Sequence, residues 1–246
     1  MKLPTLHGYI DRRILVNFTA DANIISKLLP EPFKPKLYQG KAIVGICLIR
    51  LKNIKPKGLP NFIGIASENG AHRIAVTWEE DGLTKEGVYI PRRDTSLRLN
   101  ALAGGTLFPG KHHLAKFHVQ EADGHFHIDF TSSDQTSIYL DAREANALPA
   151  DSIFETIENA SRFFEQGAVG YSPNGKKLEG LKLHAYNWQV RPLDVLRVSS
   201  SFFAAESIFP KGSVRFDHAL LMTGIEHEWH SVQDKPLVQE CLCNCI

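Results

Sequence analysis

At 246 residues, with 43% hydrophobic and 22% charged side chains, the chain is long enough to bury a sizeable core and too apolar to be disordered. Its 28 basic and 27 acidic residues leave a formal net charge of +1, and the pairs Arg12-Arg13 and Arg92-Arg93 are each only two residues long, which argues against a nucleic-acid partner. No apolar run approaches the ~20 residues that a bilayer crossing needs, and Met1 to Gly8 carries no apolar signal core, so a cytoplasmic protein with no membrane partner is expected.

In chain order, Ile14 to Phe18 is a first strand, and Asp21 caps a short helix through Leu29 that Pro30-Glu31-Pro32 ends. Ala42 to Leu51 is a nearly continuous apolar run rich in β-branched residues, the pattern of a buried strand. Ile74–Trp78 and Glu86–Ile90 flank a turn at Glu80-Asp81-Gly82 and read as a hairpin. Phe117–Glu121 and His125–Phe130 flank Asp123-Gly124 and read as a second. Asp94-Thr95-Ser96 begins a helix from Leu97 to Ala103, stopped by Gly104-Gly105. The longest helix is predicted from Ser152 to Gln166, with Ser152 as N-cap, Glu155 completing a capping box, and a stripe of Ile153, Ile157, Ala160, Phe163 and Phe164. Strands return at Leu181–Leu183, Trp188–Val190, Val195–Val198 and Phe216–Leu221. The expected fold class is α+β, mostly antiparallel β, in one domain over residues 1–246 with a flexible tail from about residue 231.

The cysteines are Cys47, in the apolar run, and Cys241, Cys243 and Cys245 at the end, which is no disulfide framework. The terminal Cys-x-Cys-x-Cys is tighter than a structural zinc spacing and reads as a reactive tail. His125 and His127 share one strand face but flank a turn, where solvated residues are expected. Glu226 to His230 lacks the His-Glu-x2-His spacing. No metal and no cofactor is expected. Hydrolase, nucleotide-dependent and dehydrogenase readings have no motif behind them. His72-Arg73 heads one predicted strand and Arg92-Arg93-Asp94 follows Tyr89 on another. If the two pair, these groups converge at one end of the sheet, which suits a small acidic molecule.

Asp11 to Phe18 leading to Leu28–Phe33, Ser67 to Arg73, Gly87 to Asp94, Leu107 to His113, Phe209 to Val214 and Gly224 to His230 together resemble an uncharacterised bacterial family of the acetoacetate decarboxylase-like superfamily. The resemblance implies a β-cone or barrel enclosing a cavity, with a few flanking helices, and a homo-oligomer. It also implies a chemistry in which a neutral lysine attacks a keto acid to form a Schiff base, its pKa lowered by desolvation or an adjacent cation. The decarboxylases carry two lysines after an aromatic-Pro pair. After Phe108-Pro109 this chain has Gly110 at the nucleophile's place and Lys111 beside it, so that either Lys111 serves, near His112 and His113, or the amine is gone. Glu68, between Ser67 and Asn69, matches a family carboxylate and is the candidate general acid or base. Arg12 or Arg13 matches an arginine that faces the substrate carboxylate.

Two function classes follow. One is an enzyme, decarboxylase or lyase in type, acting on a small keto acid or related carbonyl acid, with Lys111 and Glu68 catalytic and Arg12, Arg13, Arg73, Tyr89, Arg92 and His112 binding the substrate. The other is a cavity protein that binds a small acidic or apolar ligand without turnover.

Overall fold

Long strands of alternating burial, several of them buried on both faces, dominate the chain. The computed structural model describes residues 4–98 and 109–237. The elements are β1 (Leu6–Ala20), α1 (Ala22–Leu28), β2 (Lys34–Pro35), β3 (Leu37–Tyr38), β4 (Lys41–Pro56), β5 (Ile65–Glu80), β6 (Leu83–Thr95), β7 (His112–Ala122), β8 (His125–Ser132), β9 (Ser137–Glu144), α2 (Ile157–Glu165), β10 (Val169–Asn174), β11 (Lys177–Ala185), β12 (Arg191–Ser200) and β13 (Val214–Pro236). Among the described residues no helix is long and apolar enough to cross a membrane.

The pairings run in two closed circuits that share strands. One passes β5–β6–β7–β8–β9–β12–β13–β1–β4 and back to β5. The other is completed by β10 and β11, which connect β6 to the far end of β13. All contacts are antiparallel except β6–β7 and β6–β10. The result is a large, curved, mostly antiparallel sheet with apolar side chains on both faces.

Those two faces hold separate cores. Val44, Ile46 and Leu48 of β4 enter the first with Ile14, Val16, Tyr89, Ile128 and Phe130. Ile43, Cys47 and Leu51 enter the second with Ile10, Leu15, Leu220 and the α2 residues Ala160, Phe163 and Phe164. This is why the Ala42–Leu51 run is apolar almost without a break: a strand covered on both sides has no polar face.

Local signals hold where the chain answers to its own neighbours. Asp21 caps α1 by accepting from the Asn23 and Ile24 amides. Asp81-Gly82 and Asp123-Gly124 all have positive φ, as two-residue hairpin turns demand. The expected helix from Ser152 is shorter. It starts at Ile157 with Thr156 as N-cap, while Ser152 donates to Asp217 Oδ2 at 2.8 Å and Glu155 has a φ of 62°. A buried tertiary partner took the serine that would have capped the helix. Trp188–Val190 is not a strand, and Trp188 Nε1 instead donates to Ser161 Oγ at 2.9 Å. Residues 231–236, expected in a tail, extend β13 against β11. Most of the Leu97–Ala103 helix, and Cys241, Cys243 and Cys245, lie outside the described residues.

Candidate functional site

A cavity of about 120 Å3 lies inside the second circuit, and each of its seven strands contributes to the wall. Cross-strand register explains who meets there. Leu15, Cys47, Ala71 and Arg93 form one row across β1, β4, β5 and β6. Arg73 stands opposite Gly45. A Cβ at Gly45 would lie 2.3 Å from the Val16 carbonyl oxygen, so the close approach of β1 to β4 requires glycine here.

Three guanidiniums, from Arg13, Arg73 and Arg93, line the cavity. Among the described residues none has a carboxylate within ion-pair distance. Arg73, 3% exposed, donates from Nε to Cys47 Sγ at 3.2 Å and from Nη2 to Asn17 Oδ1, and lies over the Phe164 ring. Arg13 Nη2 donates to the same sulfur at 3.7 Å, and Arg13 Nε is buried without a hydrogen-bond partner. Arg93 Nε donates to Ser172 Oγ at 3.0 Å, and burial pulls its pKa down to about 10.

The sulfur's state follows from these neighbours. Burial pushes the Cys47 thiol up, but the charges of Arg73 and Arg13, with their hydrogen bonds, outweigh it and hold the pKa below the ordinary thiol value. Cys47 is a free cysteine on the cavity wall.

Behind Arg73 runs a chain of buried polar groups. Asn17 Oδ1 accepts from Arg73, and Asn17 Nδ2 donates to His218 Nε2 at 3.0 Å. His218 Nδ1 then carries the ring proton and donates to Asp217 at 2.5 Å. Asp217 also accepts from Ser152 Oγ and from the Ile153 amide. Burial lowers the His218 pKa against the pull of Asp217, which agrees with a neutral ring.

Of the residues singled out by sequence, the structure brings Arg13, Arg73 and His112 into this cavity. Burial, and after it the Arg93 charge, lowers His112 to about 3, so its imidazole is neutral. The others lie elsewhere. Arg12, 2% exposed, donates to Glu68 Oε2 at 2.6 Å and to Glu121. Arg50 adds bonds to Glu68 at 2.5 Å and to Glu121 at 3.1 Å. Arg12, Arg50 and Glu68 form a register row on the sheet face turned away from the cavity, which commits Glu68 to two guanidiniums. Tyr89 is fully buried in the first core. Arg92 is held by Asp94 and Asp134, in bonds between 2.7 and 3.2 Å. Asp94 reaches the cavity wall, where burial raises its pKa against that arginine.

Lys111 is exposed at the entry to β7, and no lysine lines the cavity among the described residues. Gly110, the expected counterpart of the decarboxylases' nucleophile, has a φ of +82°, and a Cβ there would lie 2.5 Å from Ser172 Cβ. That position is shaped for glycine. Sequence reasoning left Arg93 and Cys47 off the list of binding residues. Arg93 stood beside the arginine that was chosen. Nothing in the apolar run marks Cys47 until β1 and β5 bring two arginines to it. Among the described residues no cluster of His, Cys, Asp or Glu is arranged to hold a metal ion.

The chain's fold matches known structures at low sequence identity. An acetoacetate decarboxylase-like enzyme from Sphingomonas wittichii RW1 superposes with a TM-score of 0.55 at 11% identity, covering 94% of this chain and 92% of that one. Acetoacetate decarboxylase from Legionella pneumophila gives 0.56 at 13%, covering 94% and 88%. The enduracididine biosynthesis enzyme MppR complexed with pyruvate gives 0.55 at 9%, covering 96% and 91%. At such identities the likeness shows an acetoacetate decarboxylase-like fold and no more. No curated protein matches the sequence. Residues 10–225 match the model of DUF2071, described as "Uncharacterized conserved protein (COG2071)", and the chain belongs to that family.

Proposed function

We propose that the seven-strand cavity takes a small carbonyl acid, with Arg13, Arg73 and Arg93 donating to its carboxylate and carbonyl oxygens. The observation that carries this reading is three arginines on one cavity wall with no carboxylate of the described residues paired to them. Burying unpaired charge is costly, and an anionic ligand removes that cost while using the planar fork of each guanidinium. Size narrows the class. A cavity of ~150 Å3 accommodates benzene, so about 120 Å3 suits a ligand of roughly six heavy atoms, the size of pyruvate. The acetoacetate decarboxylase-like fold and the pyruvate held by the structural neighbour MppR point to the same class.

The reading includes an enzyme acting on that acid, and its chemistry does not pass through Lys111, which is exposed. Binding without turnover is favoured by the same absence of a cavity lysine among the described residues. Calorimetric titration with pyruvate, glyoxylate and acetoacetate, each beside its neutral methyl ester, tests the shared part. Saturable binding of acids but not esters is expected, weakened about ten- to a hundredfold by Arg73→Met. Equal binding of acids and esters, or binding insensitive to Arg73, sinks the reading. Following consumption of the bound acids separates enzyme from binding protein.

A further inference from the structure

We propose that Cys47 is the nucleophile of the cavity, its thiolate adding to the carbonyl carbon of the bound acid; this rests on the carbonyl-acid reading above. The geometry has three independent parts. Cys47 Sγ receives Arg73 Nε at 3.2 Å and Arg13 Nη2 at 3.7 Å, two cations with no described carboxylate partner, so the sulfur is the anion they face. Arg13 Nε, buried on the same wall with no hydrogen-bond partner, is a donor that a ligand oxygen would satisfy. Arg93 stands in the same cross-strand row as Cys47 with only Ala71 between them. That places it two strands away, ~10 Å at the backbone, a gap that its own reach and a six-atom acid fill.

In this site the thiolate is the reactive form. Its lone pair forms a bond to the carbonyl carbon, and the C=O π pair moves to oxygen. The alkoxide is stabilised by the Arg93 guanidinium and takes a proton from solvent. Nothing is oxidised or reduced, no group leaves, and the hemithioketal collapses by the same path. The Asp217–His218–Asn17 chain is the positioning element: it holds Arg73, and through it the sulfur, in one orientation.

Two measurements on the full chain decide the matter. Carbon NMR of [2-13C]pyruvate with the wild-type protein is expected to show a protein-bound tetrahedral-carbon signal, distinct from that of free pyruvate hydrate, that is absent with Cys47→Ser, while calorimetry shows that both proteins bind pyruvate. Binding without the tetrahedral signal overturns the nucleophile and leaves the acid reading standing. Absence of binding by either protein removes the acid reading and, with it, the addition step. The thiolate itself is read by competing iodoacetate with iodoacetamide and mapping the labelled peptides. The cationic wall is expected to make iodoacetate the faster reagent at Cys47, the reverse of the order at Cys241, Cys243 and Cys245, with Arg13→Met slowing that reaction about tenfold. A Cys47 that reacts with neither reagent until the protein is unfolded in urea overturns the proposal, whichever way the pyruvate experiment falls.

Discussion

Arg12 and Arg13 are adjacent in β1 and serve opposite faces of one sheet: Arg12 is locked between Glu68 and Glu121, and Arg13 reaches Cys47 across the cavity wall. The cause is strand alternation, which puts Arg13 on the face of Leu15 and Arg12 on the other. The β1–β4 register slips between Ile10 and Arg12, so Asp11 is an extra residue and the alternation restarts with opposite phase. Ile10 therefore shares the cavity with Arg13 although three positions separate them.

The two arginines accordingly separate stability from binding. Arg12→Met removes one of the two guanidiniums that Glu68 and Glu121 share, and Arg50 remains bonded to both. Glu68 and Glu121 keep side-chain exposures of 16% and 24%, so the loss is expected near or below the low end of the ~3–5 kcal/mol typical of a broken buried pair. Arg13→Met removes no carboxylate partner and is expected to cost much less while weakening acid binding. Urea unfolding and pyruvate calorimetry on both variants check this, and equal stability losses would contradict it.

Acid should unfold this protein through its histidines. Burial lowers His72 and His112 to about 3 and His227 to about 4, against ~6.5 in the unfolded chain. Between those values the unfolded state binds more protons, so stability rises with pH in that window and is lost as pH falls from about 6.5 toward 3. Each histidine contributes a slope of at most ~1.4 kcal/mol per pH unit. The raised Asp94 carboxyl works in the opposite direction. Replacing His72, which packs 4.4 Å from the Phe202 ring, with leucine should flatten the urea midpoint between pH 4 and 6.5. An unchanged slope in His72→Leu would count against buried neutral histidine as the cause.

Gly110 is closed to any side chain, a lysine included. Its positive φ and the 2.5 Å approach to Ser172 predict that Gly110→Ala loses ~1–3 kcal/mol from strained backbone, plus the cost of the overlap. Gly110→Lys should be destabilised further and give no borohydride-trapped adduct with pyruvate, while Lys111→Ala should match wild type in melting temperature and acid binding. A reduced adduct at Lys111 in the wild-type protein would restore the Schiff-base route.

Phe154 anchors the segment that replaced the first turn of the expected helix. It is fully buried, stacked 4.3 Å from Tyr38, and touches Phe163, Phe164 and His218. Phe154→Ala should cost ~3–5 kcal/mol by thermal or urea unfolding. A loss below ~1 kcal/mol would mean that this part of the core collapses around the gap.

The amino-acid sequence by itself determined what depends on near neighbours. The Asp-Gly turns, the Asp21 cap and the doubly buried β4 were legible because backbone conformation and two-residue periodicity act over a few positions. The mostly antiparallel class, and through the matching blocks the decarboxylase-like fold, were legible with them. Only the tertiary structure decided the site. The pairing of β1 with β4 put Arg13, and not Arg12, on the cavity face, and Asp217 drew Ser152 away from its helix. Cys47 gained its two guanidinium partners only when β1 and β5 closed on either side of β4. The charge on a buried group is set by what surrounds it in space, and here those neighbours come from strands as far apart in sequence as β1 and β13.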